Sequence, residues 1–283
     1  MNDNMDVIIT LTFDELIDIF NMDPIEINDK KSFELFINKN IMEEDNNIDY
    51  GLILYYIGRY FEHIDINYEL VKKYYLRAIE NNNITAMNAM GDYYFQNKEY
   101  EFMKLYYTIA INNNSSDAMN NLGYYYYSIE KNHELMKKYY LMSIENGNDV
   151  AMFNLGHYYE TTWDAKIYNY NYDLMKKYYL MSIENGNSDA MYRLGLYYEK
   201  IKVNYDLMKK YYLMSINIGT NIGTNIGTNE ASLRAMYRLG LYYEKIEINY
   251  DLMKKYYSMA IKEGCLKSQK RLENFKLPYY NNY

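Results

Sequence analysis

The groups best placed to do chemistry in this 283-residue chain are cations that recur. Lysine pairs stand at Lys72-Lys73, Lys137-Lys138, Lys176-Lys177, Lys209-Lys210 and Lys254-Lys255, and Lys104 holds the same place in one further segment. Brought into register, they would form a column with one rung about every 10 Å at ordinary helix spacing, able to grip phosphates or an acidic partner. Each, however, follows an acid by three residues: Glu69, Glu101, Glu134, Asp173, Asp206 and Asp251. Acid at a helix start with lysine one turn later is favoured by the helix dipole and by pairing, at about 0.2–0.5 kcal/mol per pair. The column therefore reads as a solvated, self-neutralised face. A formal net charge of −8 points the same way, because nucleic-acid binders carry a basic field.

Other reactive types are scattered. His63, His133 and His157 fall at unrelated places, and no His, Cys and carboxylate spacing suits a metal. No phosphate loop, dinucleotide fingerprint or nucleophile elbow occurs. The recurrent tyrosine pair, as at Tyr139-Tyr140, could stack bases or accept phosphate, but at helical spacing it reads as core. Trp163 is unique and is either a plug or an exposed anchor. No catalytic group, cofactor or metal is expected, so the chain is not read as an enzyme. The single cysteine, Cys265, excludes an internal disulfide and fits a reducing compartment. With no basic-then-apolar leader and no run of 18 apolar residues, the expectation is a soluble intracellular protein of the cytoplasm.

What must position these side chains is a repeat. LMKKYYLMSIENGN occurs word for word at Leu135–Asn148 and Leu174–Asn187, with edited copies starting at Leu70, Phe102, Leu207 and Leu252. Six copies of one segment, each an i, i+4 apolar stripe, predict stacked helix pairs. The first helix of each pair, helix A, carries an aliphatic-glycine step: Ile57-Gly58, Met90-Gly91, Leu122-Gly123, Leu155-Gly156, Leu194-Gly195 and Leu239-Gly240. The intervals are 33, 32, 33, 39 and 45 residues (91−58, 123−91, 156−123, 195−156, 240−195). Glycine inside a helix costs about 1 kcal/mol against alanine, so its recurrence predicts a neighbouring backbone lying against it. The second helix, helix B, closes at Asn82, Asn114, Gly147, Gly186, Gly219 and Gly264, the two residue types that best accept the left-handed conformation.

The two long intervals hold insertions, one near 161–170 and one at 217–228. The second, NIGTNIGTNIGT, predicts a loose loop. Residues 1–48 lie outside the array and predict two short helices, one opened by a capping box at Thr12–Glu15 and one over Ser32–Asn40. They read as an N-terminal cap or as a small docking module of F-box-like kind. Leu266–Phe275 reads as a C-terminal cap in which Glu273 replaces the glycine, and 276–283 as a tail. The array spans 49–275. The fold class expected is all-α, an α-α superhelix of six helix pairs with a capping helix at each end.

Helix A reading A-x-x-x-L-G-x-x-Y (Ala118, Leu122, Gly123, Tyr126) and helix B ending Y-Y-x-x-small-I-x-x-G-N (Tyr139, Tyr140, Ser143, Gly147, Asn148) resemble the Sel-one-like branch of the tetratricopeptide superfamily. The resemblance covers about residues 50–275, and the composition is similar to repeat proteins of giant DNA viruses. It departs where that family's helix B opens on Lys-Ala and this chain has Leu-Met, and in a repeat nearer 33 residues than the longer family unit. It implies a solenoid adaptor for protein complexes, with no catalytic residues to carry over and, if viral, the host cytoplasm as its place.

Sameness along an array serves stacking, so difference is free for recognition. Two variable series on helix A, four residues apart, share one stripe: Tyr55, Asn88, Asn120, Phe153, Tyr192 and Tyr237, with Arg59, Asp92, Tyr124, His157, Leu196 and Leu241. In related solenoids helix A lines the concave face. The stripe is therefore the expected binding surface for a protein or peptide partner, polar near the N-terminal end and apolar toward Leu241. The function expected is a protein–protein interaction scaffold that lays a peptide or partner helix along this face. The rival is a nucleic-acid reader using the lysine column. No membrane and no nucleic acid are expected.

Overall fold

The computed structural model describes residues 50–63, 67–162, 168–221 and 230–275. The expected N-terminal cap, Trp163 and the tail lie outside these residues. The chain divides into two compact units, Met1–Asn148 and Asp149–Tyr283. Among the described residues of the first are α1 (Tyr50–His63), α2 (Tyr68–Glu80), α3 (Ile84–Gln96), α4 (Tyr100–Asn112), α5 (Ser116–Ser128) and α6 (His133–Glu145). The second has α7 (Asp149–Thr161), α8 (Tyr168–Glu184), α9 (Ser188–Lys200), α10 (Tyr205–Asn221), α11 (Glu230–Lys245), α12 (Tyr250–Lys262) and α13 (Leu266–Glu273). No strand occurs among them. Odd-numbered helices are the A helices and even-numbered ones the B helices, so each unit contains three pairs and the second also holds the C-terminal cap α13.

Two tyrosines close every pair. The first tyrosine of helix B lies nearly parallel to an aromatic three residues after the helix A glycine. These stacks are Phe61–Tyr74, Tyr94–Tyr106, Tyr126–Tyr139, Tyr159–Tyr178, Tyr198–Tyr211 and Tyr243–Tyr256, with ring centroids 5.5–5.9 Å apart and tilts of 5–13°. The second tyrosine lies flat on the glycine. A Cβ at Gly58, Gly91, Gly123, Gly156, Gly195 or Gly240 would come within 2.3–2.7 Å of the ring of Tyr75, Tyr107, Tyr140, Tyr179, Tyr212 or Tyr257. The close neighbour that the glycine requires is thus a tyrosine ring and not the expected backbone. Burying a ring at that depth compensates for the helix-weakening residue beneath it.

In five of the helix B segments a left-handed residue closes the helix, and the residue after it leads into the next helix A. Asn82, Asn114, Gly147, Gly186 and Gly264 adopt φ of 59–85°. The following N–H then donates five residues back, as in Asn83 to Ala78 (3.0 Å), Ser115 to Ala110 (3.0 Å) and Cys265 to Ala260 (2.9 Å). Asn83, Ser115 and Asn187 in turn accept through their side chains from the N–H of Ala86, Ala118 and Ala190, capping the next helix. Gly219 departs from the expectation. It lies inside α10, which runs on to Asn221, so the first part of the 217–228 insertion extends a helix instead of forming a loop. A glycine costs a helix about 1 kcal/mol against alanine, too little by itself to end one already under way.

Candidate interaction surface

The stripe occupies one face of the A helices in each unit, but its two series differ in depth. Tyr55, Asn120 and Tyr192 are only 9%, 8% and 7% exposed, whereas Tyr124 is 47% exposed. The reason is the tyrosine on the glycine. Rings of Tyr55, Phe153, Tyr192 and Tyr237 pack on those of Tyr75, Tyr179, Tyr212 and Tyr257, with centroids 5.7–6.1 Å apart. Those four rings are therefore a floor over helix B, whereas Asn88 and Asn120 of the same series donate to Asp92 and Asn121. Arg59 and Tyr124 of the second series are exposed, and Asp92, His157, Leu196 and Leu241 half-buried.

Beside this floor runs a polar network that the repeat pattern conceals. In four pairs the hydroxyl of the second tyrosine donates to the glutamate four residues after the helix A glycine: Tyr75 to Glu62 (2.6 Å), Tyr179 to Glu160 (2.7 Å), Tyr212 to Glu199 (2.5 Å) and Tyr257 to Glu244 (2.5 Å). In the second unit each of these glutamates also receives an arginine from the next A helix. Arg193 reaches Glu160 at 3.3 Å, Arg238 reaches Glu199 at 3.1 Å and Arg271 reaches Glu244 at 2.8 Å. The result is a ladder of Tyr–Glu–Arg rungs joining consecutive repeats. Charge-assisted bonds of this kind are roughly twice as strong as neutral ones.

In the first unit no arginine of a following A helix reaches these acids among the described residues: Glu62 has Arg59 of its own helix at 3.8 Å, and the second pair relies on amides. Tyr107 donates to Asp92 at 2.6 Å, and Asn121 of α5 donates to Asp92 at 2.9 Å and to Asn88 at 3.2 Å. Asn88 completes the cluster through its own bond to Asp92 at 3.2 Å. Burial raises the Asp92 carboxyl to about 6, with Glu62 adding to the rise and the bonds from Tyr107 and Asn121, with Arg59, opposing it. Glu160 behaves in the opposite sense. Burial pushes it up, but bonds from His157 and Tyr179 and the charge of Arg193 outweigh burial and hold it below the usual range. Burial and the adjoining carboxylates push the hydroxyls of Tyr75, Tyr107, Tyr179 and Tyr212 far up, so they stay neutral donors.

The lysine column keeps largely to itself. Lys104, Lys137, Lys176 and Lys209 pair with the acid three residues before them, at 2.6–3.6 Å. Lys104 and Lys209 also reach Glu130 and Glu247 at 2.9 and 3.1 Å. The second lysines, Lys73, Lys138, Lys177, Lys210 and Lys255, lie over the ring of the next tyrosine at 5.2–5.5 Å. Among the described residues no group of His, Cys, Asp and Glu is arranged to hold a metal. No described helix is long and apolar enough to cross a membrane.

Tyrosine and glutamate in the ladder were each visible as recurrent types, and so was arginine before the helix A leucine at Arg193, Arg238 and Arg271. Which glutamate each arginine meets was not, because partners lie 33, 39 and 27 residues apart.

These features define a helical-repeat protein with the Sel-one-like solenoid fold. The chain superposes on c5321, a protective antigen of uropathogenic Escherichia coli with an SLR fold, at TM-score 0.57 and 19% identity over 86% of this chain. It spans only 56% of that protein's length. It superposes equally on a Sel1 repeat protein from Oxalobacter formigenes, at TM-score 0.57 and 19% identity over 81% of this chain and 93% of that one. The human IFIT1 dimer with PPP-AAAA matches at TM-score 0.53 and 15% identity over 93% of this chain and 62% of that one. No protein-family model and no curated protein matches the sequence.

Proposed function

We propose that this chain is an interaction scaffold whose array, residues 49–275, offers the A-helix stripe to a peptide or a helix of a protein partner. The observation that carries the reading is the floor-and-rim construction. Tyr192 and Tyr237 are held by packing on Tyr212 and Tyr257, while Leu196 and Leu241 beside them keep part of their apolar surface open. A rigid aromatic floor with a half-open aliphatic rim is the kind of surface that gains by being covered. Because Tyr192 is core, the informative change is on the rim. Leu196→Asp with Leu241→Asp should leave the helical circular dichroism spectrum intact and abolish most partner recovery in affinity purification from the native cell. Unchanged partners with an intact fold would remove the stripe from consideration.

A second reading is favoured by the likeness to the IFIT1 dimer with PPP-AAAA. It would place nucleic acid on this chain. Against it stand the charge of −8 and a lysine column already engaged with its own acids and rings. A salt-sensitive mobility shift of a 5′-triphosphate oligoadenylate would favour that reading.

A further inference from the structure

At the C-terminal end of the second unit an open cleft of about 650 Å³ lies between α11 and α13. Tyr237 and Phe275 supply aromatic walls, and Glu244, Lys267, Lys270, Arg271 and Asn274 supply the polar groups. The last rung of the ladder is part of this lining. Glu244 is already committed to Tyr257 at 2.5 Å and Arg271 at 2.8 Å, so its charge and that of Arg271 cancel within the wall. Lys267 and Lys270 are exposed and make no ion pair with the described residues. Among the described residues the cleft thus keeps two positive charges with no ion-pair partner, in a chain whose total is −8.

On the other A helices a tyrosine covers the glycine, whereas α13 has Glu273 at that position and receives no such ring among the described residues. Lys267, Lys270 and Arg271 follow i, i+3, i+4 spacing and so share one helix face. The volume falls within the range of small-ligand and peptide sites. Aromatic walls beside exposed ammonium groups suit an extended segment that brings both carboxylates and an apolar side chain better than they suit a compact anion.

Resting on the scaffold reading above, we propose that this cleft receives an acidic peptide segment of a protein partner: adjacent carboxylates between Lys267 and Lys270, and an apolar side chain against Tyr237 and Phe275. The test uses the full chain and a fluorescein-labelled peptide with two adjacent glutamates next to a leucine, read by anisotropy against its glutamine counterpart. The glutamate peptide should bind at least tenfold tighter, and more weakly as salt rises. Lys267→Glu with Lys270→Glu should remove that preference, whereas Lys254→Glu with Lys255→Glu on α12 should keep it. Equal binding of both peptides, or binding untouched by the α13 changes, overturns the proposal. So does self-association or oligoadenylate binding that those changes abolish while the peptide fails to bind. Loss of native partners in Leu196→Asp with Leu241→Asp, without peptide binding, would sink this cleft and leave the scaffold reading standing.

Discussion

The two units set the same tyrosine on the same glycine and then treat its hydroxyl differently. In the second, Glu160, Glu199 and Glu244 are each shared between a tyrosine and an arginine of the following repeat. In the first, Glu62 holds Tyr75 with only Arg59 of its own helix beside it, Asp92 is shared between Tyr107 and two asparagines, and in the third pair Tyr124 and Tyr127 stand where Asp or Glu would be, with no carboxylate bonded to Tyr140 among the described residues. The difference teaches that the packing is set by the ring and the charge is an addition to it. An arginine lets the buried acid stay ionised, whereas amides let it stay only at a cost.

The largest effect should come from removing the shared part. Tyr212→Ala in the second unit and Tyr107→Ala in the first should each lose about 3–5 kcal/mol in urea unfolding, the usual result of emptying a buried aromatic site. A loss below about 1 kcal/mol in either would break the claim that the ring is what the two units have in common.

The charged additions should separate the units by sign. The Asp92 carboxyl, pushed by burial up to about 6 from the ordinary aspartate range, means the folded state binds its proton more readily than the unfolded chain. Its contribution to stability is then greatest below the unfolded value and falls away as pH rises through about 6. Asp92→Asn should therefore stabilise at pH 7.5, by about 1–3 kcal/mol, and lose that advantage near pH 4. Glu160, held low, contributes above the ordinary carboxylate range and loses that contribution on acidification. Glu160→Gln should destabilise at pH 7.5, by about 1–2 kcal/mol for a partly solvated pair, with the difference shrinking toward pH 3. Thermal unfolding across pH reads both. If the two variants shift in the same direction, the contrast between amide and arginine is void.

The smallest contrast lies in hydroxyls alone. Tyr212→Phe gives up a bond to a carboxylate and should cost about 1.5–3 kcal/mol. Tyr140→Phe gives up none and should change stability by less than about 0.5 kcal/mol. Equal costs would mean that the ladder adds nothing beyond packing.

The comparison also marks where sequence reading stopped. Recurrence exposed the pairs, the glycine step and five of the six left-handed closures, because each is a local backbone or packing demand repeated in place. It misjudged Gly219, since a tandem Asn-Ile-Gly-Thr run carries a turn signal whether or not a helix is already under way. It put both series in one stripe without ranking their depth, since variation shows freedom from one constraint and says nothing of burial. Tyr192 varies and is nonetheless core, and Leu241 varies and is half-open.

The sequence by itself therefore determined that helices pair, where they start and stop, and which residues face a partner helix, because hydrogen-bond geometry and 3.6-residue periodicity act within a few neighbours. Only the tertiary structure decided that a tyrosine ring fills the glycine notch, and that Arg238 meets Glu199 from 39 residues away. The same holds for the cleft beside α13, whose two lysines have no counter-ion among the described residues. Those facts depend on how one repeat slides and rotates against the next. That register is fixed by the summed packing of many side chains and is not written at any single position.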